Sequence, residues 1–345
     1  MNRIPICRSL TAACLAVICV LFACDRNKPV AASTPPAASD AAASAAADTP
    51  LPVLTLPPDS GPPPAIDATR AMQYVKDIVK FGPRPLGSAN HRKVEEFIDS
   101  RLKGDTVEDD VFTADTPVGK FPVHNIVAKF PGNKDGIIVI ASHYDTNYPL
   151  RETSYVGAND GGSSSGLLLE LASQLRGKTR DGYSVWLVWD DAEEAMKPDS
   201  ETPFIDDSLY GITHLAAQWQ ADGTIKKIRA FLLADMIGDA DLNIDRDLNS
   251  TPWLESVVLE AATRLGYQSH FFARTNQVTD DHIPFLKRGV ACADLIDFDY
   301  GYNNVFWHTP QDTVDKLSPQ SLQIVGSVML ETIRILDKLE PIPPK

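Results

Sequence analysis

Four carboxylates crowd into the stretch Asp190-Asp191-Ala192-Glu193-Glu194. They follow Ser184-Val185-Trp186-Leu187-Val188-Trp189, an apolar run of the kind that forms a strand buried on both faces. Negative charge beside a core strand is costly unless a cation or a set of donors compensates it. A helix start accounts for one or two acids through the macrodipole, but not for Glu193-Glu194 at the strand exit. A metal with an adjacent base accounts for that pair.

More of the same chemistry lies at neighbouring strand ends. The β-branched run 137–141 leads into Ser142-His143-Tyr144-Asp145, the run 228–234 into Asp235, and the run 289–296 delivers Asp294 and Asp297. Open parallel sheets bind ligands beyond the carboxyl ends of their strands, so these groups share one rim. His143 and Asp145 alternate along a strand end and share a face. Asp160 sits in Gly157-Ala158-Asn159-Asp160-Gly161-Gly162, where glycine permits close backbone approach, although a helix N-terminus also favours a carboxylate. His308, in Trp307-His308-Thr309-Pro310, must find a role among the rim carboxylates unless it is a satisfied structural histidine. One histidine with two carboxylates fits zinc with an open position for water or substrate. Asp160, Glu194 and His308 are the simplest trio. His143 and Asp235 complete a second site if Asp160 bridges, so one or two zinc ions remain open. Glu193, beside ligand Glu194, is left to act as base.

These groups need a scaffold of alternating elements. Helical spacing of apolar residues predicts helices over 67–80 and 88–102, with Ser88 as N-cap, and over 163–176, 207–218, 252–265 and 319–339. Strands are expected at 107–112, 121–130, 137–141, 184–190, 228–234 and 289–296, the first two antiparallel and towards an edge. Gly82-Pro83-Arg84-Pro85 and the cluster 131–136 read as turns. The implied fold is α/β, a mostly parallel sheet covered by helices on both faces.

Ahead of this domain, Arg3 and Arg8 precede an apolar run over 10–23 and Cys24. Residues 1–24 therefore read as an export signal, and Leu21-Phe22-Ala23-Cys24 resembles a bacterial lipobox, with the cysteine acylated. An exported protein, lipid-anchored to a bacterial membrane with its domain outside the cytoplasm, is expected. Residues 25–66 hold 10 prolines and 11 alanines and read as a disordered tether. The remainder, 67–341, suits one domain. Its only cysteine is Cys292, expected as a core thiol. The net charge of −14, nearer to −16 without the two leader arginines, argues against a nucleic-acid partner.

His143-Tyr144-Asp145, Gly157-Ala158-Asn159-Asp160, Glu193-Glu194-Ala195, Asp235 and Trp307-His308-Thr309 together resemble metallopeptidase family M28, in the family's order. Asp207-Ser208-Leu209-Tyr210-Gly211 and Asp280-Asp281-His282-Ile283-Pro284-Phe285-Leu286 are similar to its glutaminyl-peptide cyclotransferase branch. The resemblance implies a three-layer zinc exopeptidase-like fold and one catalytic zinc on Asp160, Glu194 and His308. It implies Glu193 as general acid/base, Asp235 and Asp281 as hydrogen-bonded acids near the reacting amide, and Trp307 as a pocket wall. The substrate implied is a peptide with a free N-terminal glutamine, cyclised with loss of ammonia. An aminopeptidase of the same family would use a second metal at His143 and Asp235. For Asp281 a helix cap is the competing role. Where the animal cyclases have a histidine, this chain has Asp294, an extra acid expected at the pocket rim.

Overall fold

Successive residues of a strand point to opposite faces, and here both faces are apolar. In β3 (Gly132–His143), Ile138 and Ile140 enter one core while Ile137, Val139 and Ala141 enter another. β4 (Arg180–Asp190) and β5 (Ile228–Asp235) alternate in the same way. The computed structural model describes residues 49–343 apart from 60, 63, 199–200, 204–206 and 342. The expected export signal, the lipobox and the tether up to residue 48 lie outside the described residues.

The main sheet has six strands in the order β1-β2-β4-β3-β5-β8. β1 (Thr106–Thr116) and β2 (Gly119–Phe130) form the antiparallel edge, and β2 joins β4 antiparallel; β4, β3, β5 and β8 (Cys292–Ile296) run parallel. Helices α1 (Ala68–Val79), α2 (Ala89–Arg101), α3 (Gly162–Leu175), α5 (Pro252–Arg264) and α7 (Pro319–Leu336) cover one face. Helix α4 (Tyr210–Ala221) and the short α6 (Ile283–Leu286) cover the other, through Trp219 and Phe285. This is the expected three-layer, mostly parallel mixed sheet. The Ser88 side chain caps α2 by accepting from the His91 amide, and Gly266, at φ +75°, ends α5. Cys292 is fully buried.

Three local expectations are corrected. Residues 131–136 are not a free turn: β3 begins at Gly132 and is bulged, with register shifts between Gly132, Lys134 and Ile137. A small parallel pair, β6 (Ile244–Asp247) with β7 (Phe271–Asn276), was not expected, because the β6 sequence Ile-Asp-Arg-Asp carries no apolar run. Lastly, the described residues of the stretch 49–66 are not free tether. Leu54, Leu56 and Ile66 pack half-buried on the core. Carbonyls of Pro52, Pro57 and Pro62 accept from Ser256, Arg264 and Arg334. Proline removes the donor that a sheet would need but keeps the carbonyl, so this segment binds as a strap through acceptors and side chains. Deleting residues 49–66 should lower stability by roughly 2–4 kcal/mol in urea unfolding, the size expected for half-burying three aliphatic side chains.

Candidate active site

Because β3, β4, β5 and β8 are parallel, their C-terminal ends open on one edge, and the acids converge there. The loop after β3 brings Asp160 to the cavity, the exit of β4 brings Glu193 and Glu194, the end of β5 brings Asp235, and a late loop brings His308. Nε2 of His308 stands 3.3 Å from Asp160 Oδ2 and 3.3 Å from Glu194 Oε2. One donor atom from each of the three lies within 4.8 Å of the others. Asp160 Oδ2 also accepts from Tyr155 at 2.5 Å, and Glu194 Oε2 from Asn147 at 2.8 Å. Glu194 Oε1 is buried without a hydrogen-bond partner among the described residues. Two buried carboxylates on one imidazole, with an orphaned oxygen, fit a divalent cation, and the His-plus-two-carboxylates set suits zinc.

The ligand loop is braced from behind by residues that the sequence did not single out. Arg84 is fully buried. Its Nε donates to the Tyr144 carbonyl at 2.6 Å, Nη1 to the Val156 carbonyl, and Nη2 to the carbonyls of Gly157 and Asp160 at 2.9 and 3.2 Å. Asp312 accepts the backbone N–H groups of Asn159 and Asp160 at 2.8 and 3.2 Å, and the Tyr300 hydroxyl at 2.8 Å. The glycines allow the close fit: a Cβ at Gly161, at φ +71°, would stand 2.7 Å from His143 Cε1. An arginine between two prolines was the available signal for this brace; Tyr155 and Asp312 gave none.

His143 sits deeper, with Nε2 3.1 Å from Asp160 Oδ1 and 3.3 Å from Asp235 Oδ1. These three also fall within 4.8 Å of one another, so Asp160 faces both groups. Glu193 stands apart from the trio, its Oε2 3.8 Å from His143 Nδ1. Burial pushes its pKa up, and the Asp280, Glu194 and Asp145 carboxylates add to this against the opposing pull of His143. Asp145 accepts the backbone N–H groups of Glu193 and Glu194 at 3.3 and 3.4 Å and so fixes the turn that aims both.

Two site expectations are corrected. In the Asp280-Asp281 pair it is Asp280 that lines the cavity; Asp281 is turned inward beside Asp190. Burial pushes the pKa of both up, that of Asp190 to about 7, and the charge of Asp190 adds to the rise at Asp281. Nor does Asp281 cap α6, which has no side-chain cap. Asp294 does not reach the rim either. It lies within β8, 1% exposed, with Oδ2 3.8 Å from Nδ1 of the fully buried His282, whose Nε2 is 3.2 Å from Asp247. Depth along the strand accompanies the miss: Asp294 is two residues short of the strand end and is buried beside His282. Trp307 does line the cavity, stacked on His308 at 4.1 Å.

Asp191 belongs to structure. Its Oδ1 meets His91 Nε2 at 2.6 Å and its Oδ2 accepts the His124 N–H at 2.9 Å, while His91 Nδ1 is 2.8 Å from Glu95. Burial opposes the charge on His91, but Asp191 and Glu95 outweigh it and raise the pKa from 6.5 to about 10. A raised pKa stabilises the fold fully below 6.5 and loses that contribution as pH climbs through about 10.

Residues 125–333 match the model of peptidase family M28. A glutaminyl cyclase from an Acidobacteriales bacterium superposes with a TM-score of 0.77 and 47% identity, covering 83% of this chain and 99% of that one. A Zn-dependent exopeptidase from Parabacteroides distasonis superposes with a TM-score of 0.71 and 26% identity, covering 79% and 99%. A glutaminyl-peptide cyclotransferase of Drosophila melanogaster is 29% identical over 273 residues, which span 70% of this chain and 75% of the fly protein.

Two outcomes are expected. Arg84→Lys keeps the charge but not the planar fork, and should weaken zinc binding about 10–100-fold in a chelator competition. Urea unfolding from pH 6 to 10.5 should show stability falling by a few kcal/mol along the alkaline limb, and His91→Gln should be less stable at pH 6 with that limb flattened.

Proposed function

This chain belongs to peptidase family M28, and we propose that it is a zinc-dependent glutaminyl cyclase, converting the N-terminal glutamine of a peptide to pyroglutamate with release of ammonia. The observation that carries this reading is Glu193 beside the ligand trio, in a cavity it shares with Asp235 and Asp280. The cavity, about 410 Å³, is walled by Trp307, Phe298 and Ile296 on its apolar side, a size and mixture suited to a small polar ligand held by a few groups. The cyclases of an Acidobacteriales bacterium and the fly support the same reading.

We assign one zinc to Asp160, Glu194 and His308. When bound, it polarises the γ-amide carbonyl of the substrate glutamine. Glu193 accepts a proton from the α-amine as that nitrogen closes on the amide carbon, then returns it to the departing nitrogen, which leaves as ammonia. A carboxylate whose pKa is raised by burial suits a group that must hold a proton between two transfers. Asp235 and Asp280 face the same space and accept hydrogen bonds from the reacting amine and amide. Trp307 excludes water from the carbonyl side. From the basic and apolar N-terminal segment and its lipobox-like end we also infer export and lipid attachment at Cys24, with the domain outside the cytoplasm of a bacterium.

A second reading has one observation in its favour. His143 faces both Asp160 and Asp235, the arrangement an aminopeptidase with two bridged metals requires. Incubation with a glutamine-initiated dipeptide and metal analysis of the purified protein separate the two. One zinc per chain and chelator-sensitive ammonia release are expected; two zinc ions with release of the N-terminal residue would overturn the cyclase reading. Glu193→Gln should keep its zinc and lose about 10²–10⁴-fold in kcat.

A further inference from the structure

The cavity separates into a floor and a rim of different character. Its floor holds the buried acids Asp160, Glu193, Glu194, Asp235 and Asp280, each no more than 8% exposed. Its half-buried and exposed rim is formed by prolines, aliphatic and aromatic side chains and the neutral polar side chains of Asn276, Gln277 and Thr279, with His308 at the junction. Lys197 is the one exception. It lines the rim half-buried, and its ammonium makes no ion pair among the described residues.

We propose that Lys197 is a specificity residue, which selects peptides carrying an acidic side chain immediately after the cyclising glutamine. The inference rests on the cyclase reading, because that chemistry fixes how the substrate enters. The α-amine and the γ-amide must both reach Glu193 on the floor, so the chain leaves upward and its second side chain arrives at rim height. The polar side chains of Asn276, Gln277 and Thr279 are suited to holding the departing backbone. Lys197 then offers the rim's lone lysine to whatever the second residue presents. A carboxylate there gains a charge-assisted hydrogen bond in a partly desolvated place. A neutral side chain leaves the ammonium in water, and a basic one is repelled. A free C-terminal carboxylate on a dipeptide would offer the same chemistry, so substrate sets must tell the two apart.

The test compares ammonia release from Gln-Glu-Ala-amide, Gln-Gln-Ala-amide and Gln-Lys-Ala-amide, with Gln-Ala as acid and as amide in parallel. At low salt kcat/KM should favour glutamate over glutamine at the second position about three- to tenfold, and lysine least, with the spread shrinking as salt is added. Lys197→Met should collapse the spread, and Lys197→Glu should invert it. Equal rates in the wild type, or a ratio that survives Lys197→Met, would overturn the proposal. A preference for the Gln-Ala acid without one for Gln-Glu-Ala-amide would also overturn it, assigning the lysine to chain ends. If no peptide releases ammonia, the cyclase reading falls instead; calorimetric binding of the same peptides to zinc-loaded Glu193→Gln protein then still ranks glutamate against glutamine.

Discussion

Negative charge kept out of water is the constraint on which this molecule turns. Four parallel strands end at one edge, and each brings or leads into a carboxylate that is nearly or fully buried. Unrelieved, several such charges would cost far more than a domain's net stability. The fold relieves them by three routes. Asp191 is neutralised by the imidazolium of His91. Asp190 and Asp281, both fully buried, have their pKa values raised by burial, which favours their neutral forms. Asp160 and Glu194 meet at one imidazole nitrogen, a donor set that suits a dication. Glu193 has none of these partners in full, and its raised pKa suits the proton-exchanging role proposed for it.

Holding the ligands calls for rigidity behind them. Arg84 gathers carbonyls from Tyr144, Val156, Gly157 and Asp160, so two segments of loop become one unit around a planar cation. Asp312 does the converse, gathering the N–H groups of Asn159 and Asp160. Between them the backbone on both sides of Asp160 is fixed by two buried charged groups, each making several hydrogen bonds, the kind of outer support that tunes a metal ligand.

How much of this was legible in the chain follows from what each residue answers to. Strands and helices that bury an apolar face announce themselves by period, so the sheet, its helices and the positions of Asp160, Glu194, His308, Glu193 and Asp235 could be read directly. Motif order carried the ligand set, because strand ends must converge in a parallel sheet. Direction within a pair could not be read the same way. Asp280 and Asp281 are adjacent and chemically alike, and only the local turn decides which faces the cavity. Asp294 looked like a strand-end acid but lies inside β8, where His282 and Asp247 face it. The strap over 49–66 was hidden by composition, since proline-rich sequence binds by carbonyls and a few scattered aliphatics rather than by a periodic face.

The backbone around the cavity shows where folding energy is given up for geometry. Ala192 at φ +57°, Met236 at +50° and His308 at +50° all adopt the left-handed region that residues with a Cβ avoid. Each such residue costs about 1–2 kcal/mol, and each is a site residue or its direct neighbour: Ala192 precedes Glu193, Met236 follows Asp235, and His308 is a ligand. Glycine would relieve the strain at the first two, yet the chain keeps side chains there, and both are fully buried. Their burial supplies the packing that holds the strained turns, while the turns redirect the chain sharply enough for neighbouring carboxylates to face different partners. Thus Glu193 and Glu194 diverge, one towards His143 and the other towards His308. In an extended strand the two side chains would point to opposite faces of the sheet; here the turn at Ala192 instead brings both carboxylates to one cavity, aimed at different histidines.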